Sequence, residues 1–241
     1  MKDRLIGRVR IAIWAVGATV TLVTAGCAAA SGPTAEPIAA VQFDPADRAA
    51  RLEATGCGHA RDRIGSGVAV GDGLVLTVAH LVVQADDIAV TLADAGTVDA
   101  EVAAADLELD LALLRIPKNG VPAVETSSAD RGDRGLVVGG AASGTVPFEV
   151  ADVVRISIEE VLGSDRHKRL GYELAAITTT GDSGAGAYNS ENRLIGTVFA
   201  TSDDGATTWI TSSSEIDAFL TAHDPEGTAI VCNEEKSRLD L

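Results

Sequence analysis

The stretch "IGSGVAVGDGLVLTVAHL" (residues 64–81) places two β-rich runs on either side of a Gly-Asp-Gly tripeptide. The runs GVAV and LVLTV are rich in residues that favour strands, and Gly71-Asp72-Gly73 between them is typical of a hairpin turn. This stretch therefore predicts an antiparallel hairpin, with His80 at the end of its second strand.

Short β-rich runs continue along the rest of the chain at close, regular spacing. They are separated by turn residues, which predicts an all-β sandwich or barrel and not a parallel α/β sheet. The runs cover residues 88–92, 97–106, 109–116, 134–142, 148–158, 172–180, 193–201 and 207–213. One helix is predicted in residues 213–223, with Ser213 or Ser214 as its N-cap.

The composition and charge of the chain exclude several classes of function. Its 241 residues suit one or two domains, and its formal net charge is −16. An acidic body repels phosphate backbones, so nucleic acid is not an expected partner. The sequence contains no metal-ligand spacing and no nucleotide-binding loop, and we expect neither a metal nor a cofactor.

Residues 1–26 have the pattern of a signal peptide. A basic segment precedes the apolar run IAIWAVGATVTLVTAG, which is short for a membrane-spanning helix. Small residues then precede Cys27, as in a bacterial lipobox, which predicts cleavage at this point and lipidation of Cys27. An uncleaved N-terminal anchor helix is the alternative. Both interpretations attach the protein to the membrane and place its body outside, at the cell envelope or in the periplasm.

The chain after the signal peptide is predicted to have three parts. Residues 27–52 are rich in Pro and Ala and suggest a flexible linker. Residues 53–233 contain the β-rich runs and form the folded domain. Residues 234–241 form a polar tail.

Two of the three cysteines remain if Cys27 carries lipid. Cys57 lies near the start of the folded domain and Cys232 near its end, and an exported compartment permits disulfides. We therefore predict a Cys57–Cys232 bridge. Two buried free thiols are the alternative.

The stretch "ITTTGDSGAGAY" (residues 177–188) contains a candidate nucleophile, Ser183. A serine hydroxyl needs a base to accept its proton, and His80 at the end of a β-rich run is the histidine best placed for that role. The histidine in turn needs a carboxylate. Asp110 heads the apolar run LALL, whereas Asp106 has the pattern of an exposed loop residue.

Three motifs in order resemble those of the trypsin-like (chymotrypsin-fold) serine proteases. They are LTVAHLV around His80, DLALLRI around Asp110 and GDSGAG around Ser183. The resemblance covers about residues 55–232 and is closest to the HtrA-like enzymes and the mycobacterial periplasmic acid-resistance protease domains. It implies two six-stranded antiparallel β-barrels with a C-terminal helix.

The resemblance also implies a role for each of these residues. Ser183 is the expected nucleophile, His80 the general base and acid, and Asp110 the carboxylate that orients the histidine. The backbone N–H groups of Gly181 and Ser183 are the expected oxyanion hole. The implied activity is that of an exported serine endopeptidase acting on protein or peptide substrates.

Specificity is predicted from the residues that flank the nucleophile. Trypsin has an aspartate six residues before its serine, and this chain has Ile177 there, so cleavage after Lys or Arg is not expected. Thr178, Thr197 and Phe199 are the other expected pocket residues. Together they predict small or medium apolar residues before the scissile bond.

The chain departs from the family pattern at two places. Ala185 and Gly186 stand where Gly-Pro is usual, and no Ile-Val-Gly-Gly activation sequence is present. The partner of Asp182 is therefore not implied. A catalytically silent scaffold or binding lipoprotein with the same fold is the alternative function.

Overall fold

The computed structural model describes residues 43–56, 63–163, 165–203 and 205–223. The predicted signal peptide, the lipidation site Cys27, the bridge between Cys57 and Cys232 and the polar tail lie outside these ranges. Within them, no helix has both the length and the apolar character needed to cross a membrane.

Thirteen strands and two helices follow a short 3-10 helix, Pro45–Arg48. The first seven strands are β1 (Ala49–Thr55), β2 (Arg63–Gly71), β3 (Leu74–Thr77), β4 (Asp87–Leu92), β5 (Gly96–Asp99), β6 (Glu101–Asp106) and β7 (Leu111–Arg115). The next six are β8 (Arg134–Val138), β9 (Thr145–Glu159), β10 (Arg166–Ala175), β11 (Gly186–Asn189), β12 (Leu194–Thr201) and β13 (Thr207–Ser212). The helices are α1 (Ala79–Val82) and α2 (Ser213–Ala222).

The first sheet has the strand order β5-β4-β1-β2-β3-β7-β6. Its two edge strands are consecutive in the chain, with only Ala100 between them, and the Ala100 N–H donates to the Ile88 carbonyl of β4 at 2.9 Å. Residues 96–106 therefore act as one bent strand that pairs with β4 before the bend and with β7 after it. Counted this way, the sheet is a six-stranded barrel.

The second sheet is a closed barrel of six strands in the order β10-β13-β12-β11-β8-β9. Each pairing is antiparallel, as expected for strands that follow one another through short turns. An all-β chymotrypsin-like fold with a C-terminal helix is thus confirmed.

The predicted hairpin of β2 and β3 is present, and Gly73 occupies the left-handed region of its turn with φ +79°. Most residues lack a favourable conformation there, whereas glycine adopts it without steric cost. The hairpin brings the chain to α1, which contains His80.

The prediction that the linker extends to residue 52 is wrong, because β1 begins at Ala49 and lies at the centre of the first sheet. Its side chains alternate between buried and more exposed, with Ala50, Leu52 and Ala54 in the core. Arg48, also buried, donates to the Ala69 carbonyl at 3.0 Å. This strand was not predicted, because small alanines with charged residues between them do not form a β-rich run in the sequence.

Helix α2 follows the predicted helix closely, and Ile216 and Phe219 are buried on one face. Its N-cap is Ser212, one residue earlier than expected, and that side chain makes no capping hydrogen bond. The Ser213 hydroxyl instead donates to the Ser127 carbonyl at 2.8 Å, which ties the helix to the loop before β8.

Candidate active site

His80 and Asp110 lie in direct contact on the first barrel. Nδ1 of His80 is 2.8 Å from Oδ2 of Asp110, and the backbone N–H of His80 donates to Oδ1 at 2.8 Å. The Asp110 side chain is 7% exposed and the His80 side chain 37%. The buried carboxylate therefore fixes the imidazole through Nδ1, and the other ring nitrogen is left for a reacting group.

Asp110 has the left-handed φ of +53°, which aspartate tolerates better than most residues. Its carbonyl accepts from the Ala79 N–H at 3.2 Å, so backbone and side chain both bind the start of α1. Asp106 has a different part in this loop: its Oδ1 accepts from the N–H groups of Glu108 and Leu109 at 2.9 and 2.8 Å. Asp106 thus shapes the turn that leads to Asp110.

Ser183 lies just after a tight turn on the second barrel. The Asp182 N–H donates to the Thr179 carbonyl at 3.0 Å, and Gly181 in the third position of the turn has φ +102°. A positive φ at this position is the mark of a type II turn, in which the central peptide is reversed relative to type I. Among the described residues, the N–H groups of Gly181 and Ser183 donate no hydrogen bond.

The serine loop docks against the first barrel next to the strand that leads to His80. The Ser66 N–H of β2 donates to the Ser183 carbonyl at 2.8 Å. A side chain at Gly184 would place its Cβ 1.9 Å from the Ser66 carbonyl oxygen and 2.6 Å from Oγ1 of Thr77. Only glycine permits this approach, which joins the two barrels at the nucleophile.

Asp182 is almost fully buried and finds its partners in the loop between β8 and β9. The Ser143 N–H donates to Oδ1 at 2.9 Å, and the Ser143 hydroxyl donates to Oδ2 at 2.5 Å. The Thr179 N–H also donates to Oδ2, at 2.9 Å. These contacts supply a partner for Asp182, which the sequence left unassigned, and they brace the turn before Ser183.

Ser66 makes a second link from β2 to the same region. Its hydroxyl donates to the Gly181 carbonyl at 2.9 Å and accepts from the N–H groups of Gly140 and Ala141 at 3.2 and 3.3 Å. Ser66 therefore fixes the Gly181–Asp182 peptide and joins it to the loop between β8 and β9.

Within the described residues, Oγ of Ser183 makes no hydrogen bond to His80 or to any other group. Contacts of this kind are often long without substrate and tighten when a substrate binds. The structure thus brings His80 and Asp110 into direct contact, and it docks the loop of Ser183 on β2 of the same barrel.

Ala185 packs its methyl group in the core of the second barrel, where it is completely buried beside Ala129 and Val137. Its N–H donates to the Asp182 carbonyl at 2.8 Å. The methyl group that distinguishes this position from the usual glycine is therefore part of the core.

The four residues expected in the specificity pocket occupy different surroundings. Ile177 is 76% exposed, whereas Thr178 is buried and its hydroxyl lies 2.7 Å from that of Thr208. Thr197 is fully buried within the second barrel. Phe199 packs with the core of the first barrel. Of the four, Thr178 and Ile177 lie closest to Ser183 in the chain.

Sequence reasoning missed two polar groups near this site, Ser143 and Arg169. Their partners are distant in the chain, 39 residues away for Ser143 with Asp182 and 60 for Arg169 with Leu109. No local pattern signals such a contact.

The chain matches the family model of the trypsin-like peptidase domain over residues 65–196, more than half of its length. The chain belongs to the trypsin-like peptidase domain family. The matched span includes His80, Asp110 and Ser183.

Curated relatives support the expected resemblance to HtrA-like proteins. The chain is 31% identical over 138 residues to the putative serine protease HhoB of Synechocystis, covering 55% of this chain and 33% of the relative. It is 31% identical over 141 residues to a probable periplasmic serine endoprotease, DegP-like, of Ectopseudomonas mendocina, covering 55% and 28%. The chain thus spans about a third of the length of these relatives.

Among solved structures, the active form of the Rv3671c protease from M. tuberculosis has a similar fold. The TM-score is 0.72 at 22% identity, and the match covers 78% of this chain and 85% of that one. At this level of identity the likeness concerns the fold.

Proposed function

We propose that this protein is a serine endopeptidase that cleaves peptide bonds through Ser183, His80 and Asp110. The observation that carries the proposal is the pair of contacts from Asp110 to the ring and backbone of His80. Family membership and the named proteases among its relatives support the same activity.

The proposed reaction follows from this geometry. Oγ of Ser183 attacks the carbonyl carbon of the peptide bond while its proton passes to Nε2 of His80. Asp110, bonded to Nδ1, stabilises the imidazolium that forms. The tetrahedral intermediate collapses when His80 gives the proton to the leaving amine, and an acyl-enzyme remains on Ser183. A water molecule that gives a proton to His80 then attacks the carbonyl carbon of the acyl-enzyme. The bond to Ser183 breaks, Oγ takes the proton back from His80, and the carboxylic acid product is released.

The oxyanion of both tetrahedral intermediates is assigned to the N–H groups of Gly181 and Ser183. Both N–H groups are without an acceptor among the described residues, and the type II turn with φ +102° at Gly181 supports this orientation. No activating N-terminus is required, because Ser143 already holds Asp182.

A fluorophosphonate probe tests the proposal, since it labels an activated serine without knowledge of the substrate. We expect labelling of the wild type and none of Ser183→Ala or His80→Ala. Circular dichroism of each variant serves as the control for folding. A folded wild-type protein that stays unlabelled would contradict the proposal.

The same experiment addresses the alternative function, a catalytically silent scaffold. This alternative is favoured by one observation: Oγ of Ser183 has no hydrogen bond to His80 in the described structure. A silent domain would remain unlabelled under all conditions, including in the presence of peptides.

Export and membrane attachment form a separate part of the proposal. Three curated relatives are named as periplasmic, and residues 1–26 have the pattern of a signal peptide that ends before Cys27. We infer that the domain works at the cell envelope, attached by a lipid on Cys27 or by an uncleaved N-terminal helix. Mass spectrometry of the mature N-terminus separates the two forms of attachment.

The proposed specificity is for small or medium apolar residues before the scissile bond. No carboxylate stands at the position of Ile177, and the hydroxyls of Thr178 and Thr208 are engaged with each other. A cleavage profile from a peptide library tests this, and dominance of Arg or Lys would contradict it.

A further inference from the structure

Arg169 in β10 is the largest side chain that is fully buried, with 1% of its surface exposed. It belongs to the second barrel, but its Nη1 donates to the Leu109 carbonyl, the residue directly before Asp110. Its guanidinium lies over the ring of Phe199 in β12, with 3.8 Å between Cζ and the ring centroid. A buried cation at this point therefore contacts the peptide bond that leads into Asp110.

The surroundings of Arg169 explain how the charge is accommodated. Burial lowers the pKa of Arg169 to about 10, while Asp110, Asp106 and Glu215 act in the opposite direction. The guanidinium is therefore still charged at neutral pH. Its Nε and Nη2 have no hydrogen-bond partner within the described residues, so stacking on Phe199 and the Leu109 carbonyl are its main direct contacts.

Further contacts from the β9–β10 hairpin reach the same loop of the first barrel. The Val161 N–H donates to the Leu107 carbonyl at 3.4 Å, and Nδ1 of His167 lies 3.2 Å from Oε2 of Glu108. With Arg169 on Leu109, three successive residues of the loop before Asp110 are each bound by the hairpin.

We propose that Arg169 is a positioning residue for the Asp110–His80 pair, holding the Leu109–Asp110 peptide from the second barrel. The inference rests on the proposed function, because it concerns the same reaction. Asp110 has a left-handed backbone conformation, which needs support from its neighbours, and the Leu109 carbonyl is part of the preceding peptide unit.

The test compares Arg169→Met with Arg169→Lys in the full chain. Arg166→Met is the matched control, because Arg166 lies in the same strand but is exposed. The rate of fluorophosphonate labelling is measured for each variant, with circular dichroism to verify folding.

For Arg169→Met we expect labelling to slow by about 10- to 100-fold, the equivalent of one hydrogen bond to a charged group. Arg169→Lys keeps a cation that can donate to the Leu109 carbonyl, so its rate should lie between those of the wild type and Arg169→Met. Arg166→Met should behave as the wild type.

A wild-type rate for Arg169→Met would overturn the proposal, and so would a failure of Arg169→Lys to recover any of the lost rate. The NMR signal of the His80 Nδ1–H proton, which is hydrogen-bonded to Asp110, repeats the test without activity. This signal should be weakened or displaced in Arg169→Met and kept in Arg169→Lys, and an unchanged signal in Arg169→Met overturns the proposal even if the wild type is never labelled.

Discussion

At the scale of single residues, two serines hold the turn before Ser183, and we propose that they serve in place of an activating N-terminus. Ser143 binds both carboxylate oxygens of Asp182, and Ser66 binds the Gly181 carbonyl. Neither contact depends on a cleavage event. The turn before Ser183 is therefore braced by the folded chain itself.

Replacement of Ser143 by alanine tests this bracing. Ser143→Ala loses the hydroxyl bond to Asp182 and keeps the backbone one, so we expect fluorophosphonate labelling to slow by about tenfold. Ser128→Ala, a change at an exposed position, is the control. Equal labelling rates for the two variants would show that the hydroxyl has no part in the bracing.

We expect the substitution Gly184→Ala to lower the stability of the protein far more than the same substitution at a glycine with open space around it. In Gly184→Ala the new Cβ meets the Ser66 carbonyl oxygen at 1.9 Å, and φ is +87°. We expect a loss of more than about 4 kcal/mol in the free energy of unfolding, together with loss of labelling.

Gly144→Ala provides the matched control for this change. Gly144 also has a positive φ, +65°, but no atom lies within 4 Å of the added Cβ. The free energy of unfolding of Gly144→Ala should therefore fall only by the strain of the left-handed backbone conformation, about 1 kcal/mol. Both losses are measured by urea unfolding, and similar values for the two variants would contradict the steric argument.

At the scale of elements, the hairpin of β2 and β3 is stabilised by its own turn. Oδ1 of Asp72 accepts from the N–H groups of Asn119 and Gly120 at 2.9 and 2.8 Å. These two hydrogen bonds lower the pKa of Asp72 below its ordinary value of 3.8, and the bond from Gly120 has the larger effect. The turn is thereby joined to the loop that follows β7.

The lowered pKa of Asp72 predicts a specific dependence of stability on pH. The contribution of Asp72 is present above its unfolded pKa and is lost as pH falls through its lower folded pKa. The free energy of unfolding should thus fall less steeply at acidic pH in Asp72→Asn than in the wild type. Urea unfolding at a series of pH values measures this.

The control for this measurement is Asp94→Asn, in the exposed turn between β4 and β5. It should follow the wild-type curve. If Asp72→Asn also followed that curve, the two backbone bonds would not be responsible for the acid dependence.

The elements differ in how well the sequence predicts them. The β2–β3 hairpin and α2 were predictable because turn glycines and apolar spacing are local signals. Strand β1 was not, since Arg51 and Glu53 interrupt a short run of alanines and Leu52, and its place depends on pairing with β2 and β4. The bend at Ala100 is likewise visible only when both of its partner strands are known.

The same division holds for the candidate site. His80, Asp110 and Ser183 stand in motifs that can be read locally, and the first two are in contact as expected from them. Ser143 and Arg169 act on groups 39 and 60 residues away, so their roles depend on tertiary structure. The pocket residues were the least predictable, because a strand position does not reveal which barrel core a side chain enters.

At the scale of the whole molecule, the site depends on both barrels. His80 and Asp110 belong to the first and Ser183 to the second, and Arg169, Ser66 and Gly184 lie at the junction. A change that loosens this junction should therefore affect activity before it unfolds either barrel.

The predicted Cys57–Cys232 bridge is a property of the whole chain, since it would join the two ends of the domain. A loop of this length corresponds to at most about 5 kcal/mol of stabilisation by chain entropy. We expect non-reducing mass mapping of the exported protein to yield one peptide containing both cysteines. Recovery of both as free thiols would contradict the bridge.

Residues 96–106 occupy both edges of the first sheet, with β5 on β4 and β6 on β7. Unpaired strand edges are sites where one protein molecule can add to another and begin to aggregate. If the domain is attached to a membrane as proposed, its copies meet one another at high local density. Because of the bend at Ala100, the first sheet has little unpaired strand edge within the described structure. A neighbouring copy would therefore find little backbone to pair with, which should limit aggregation at high density.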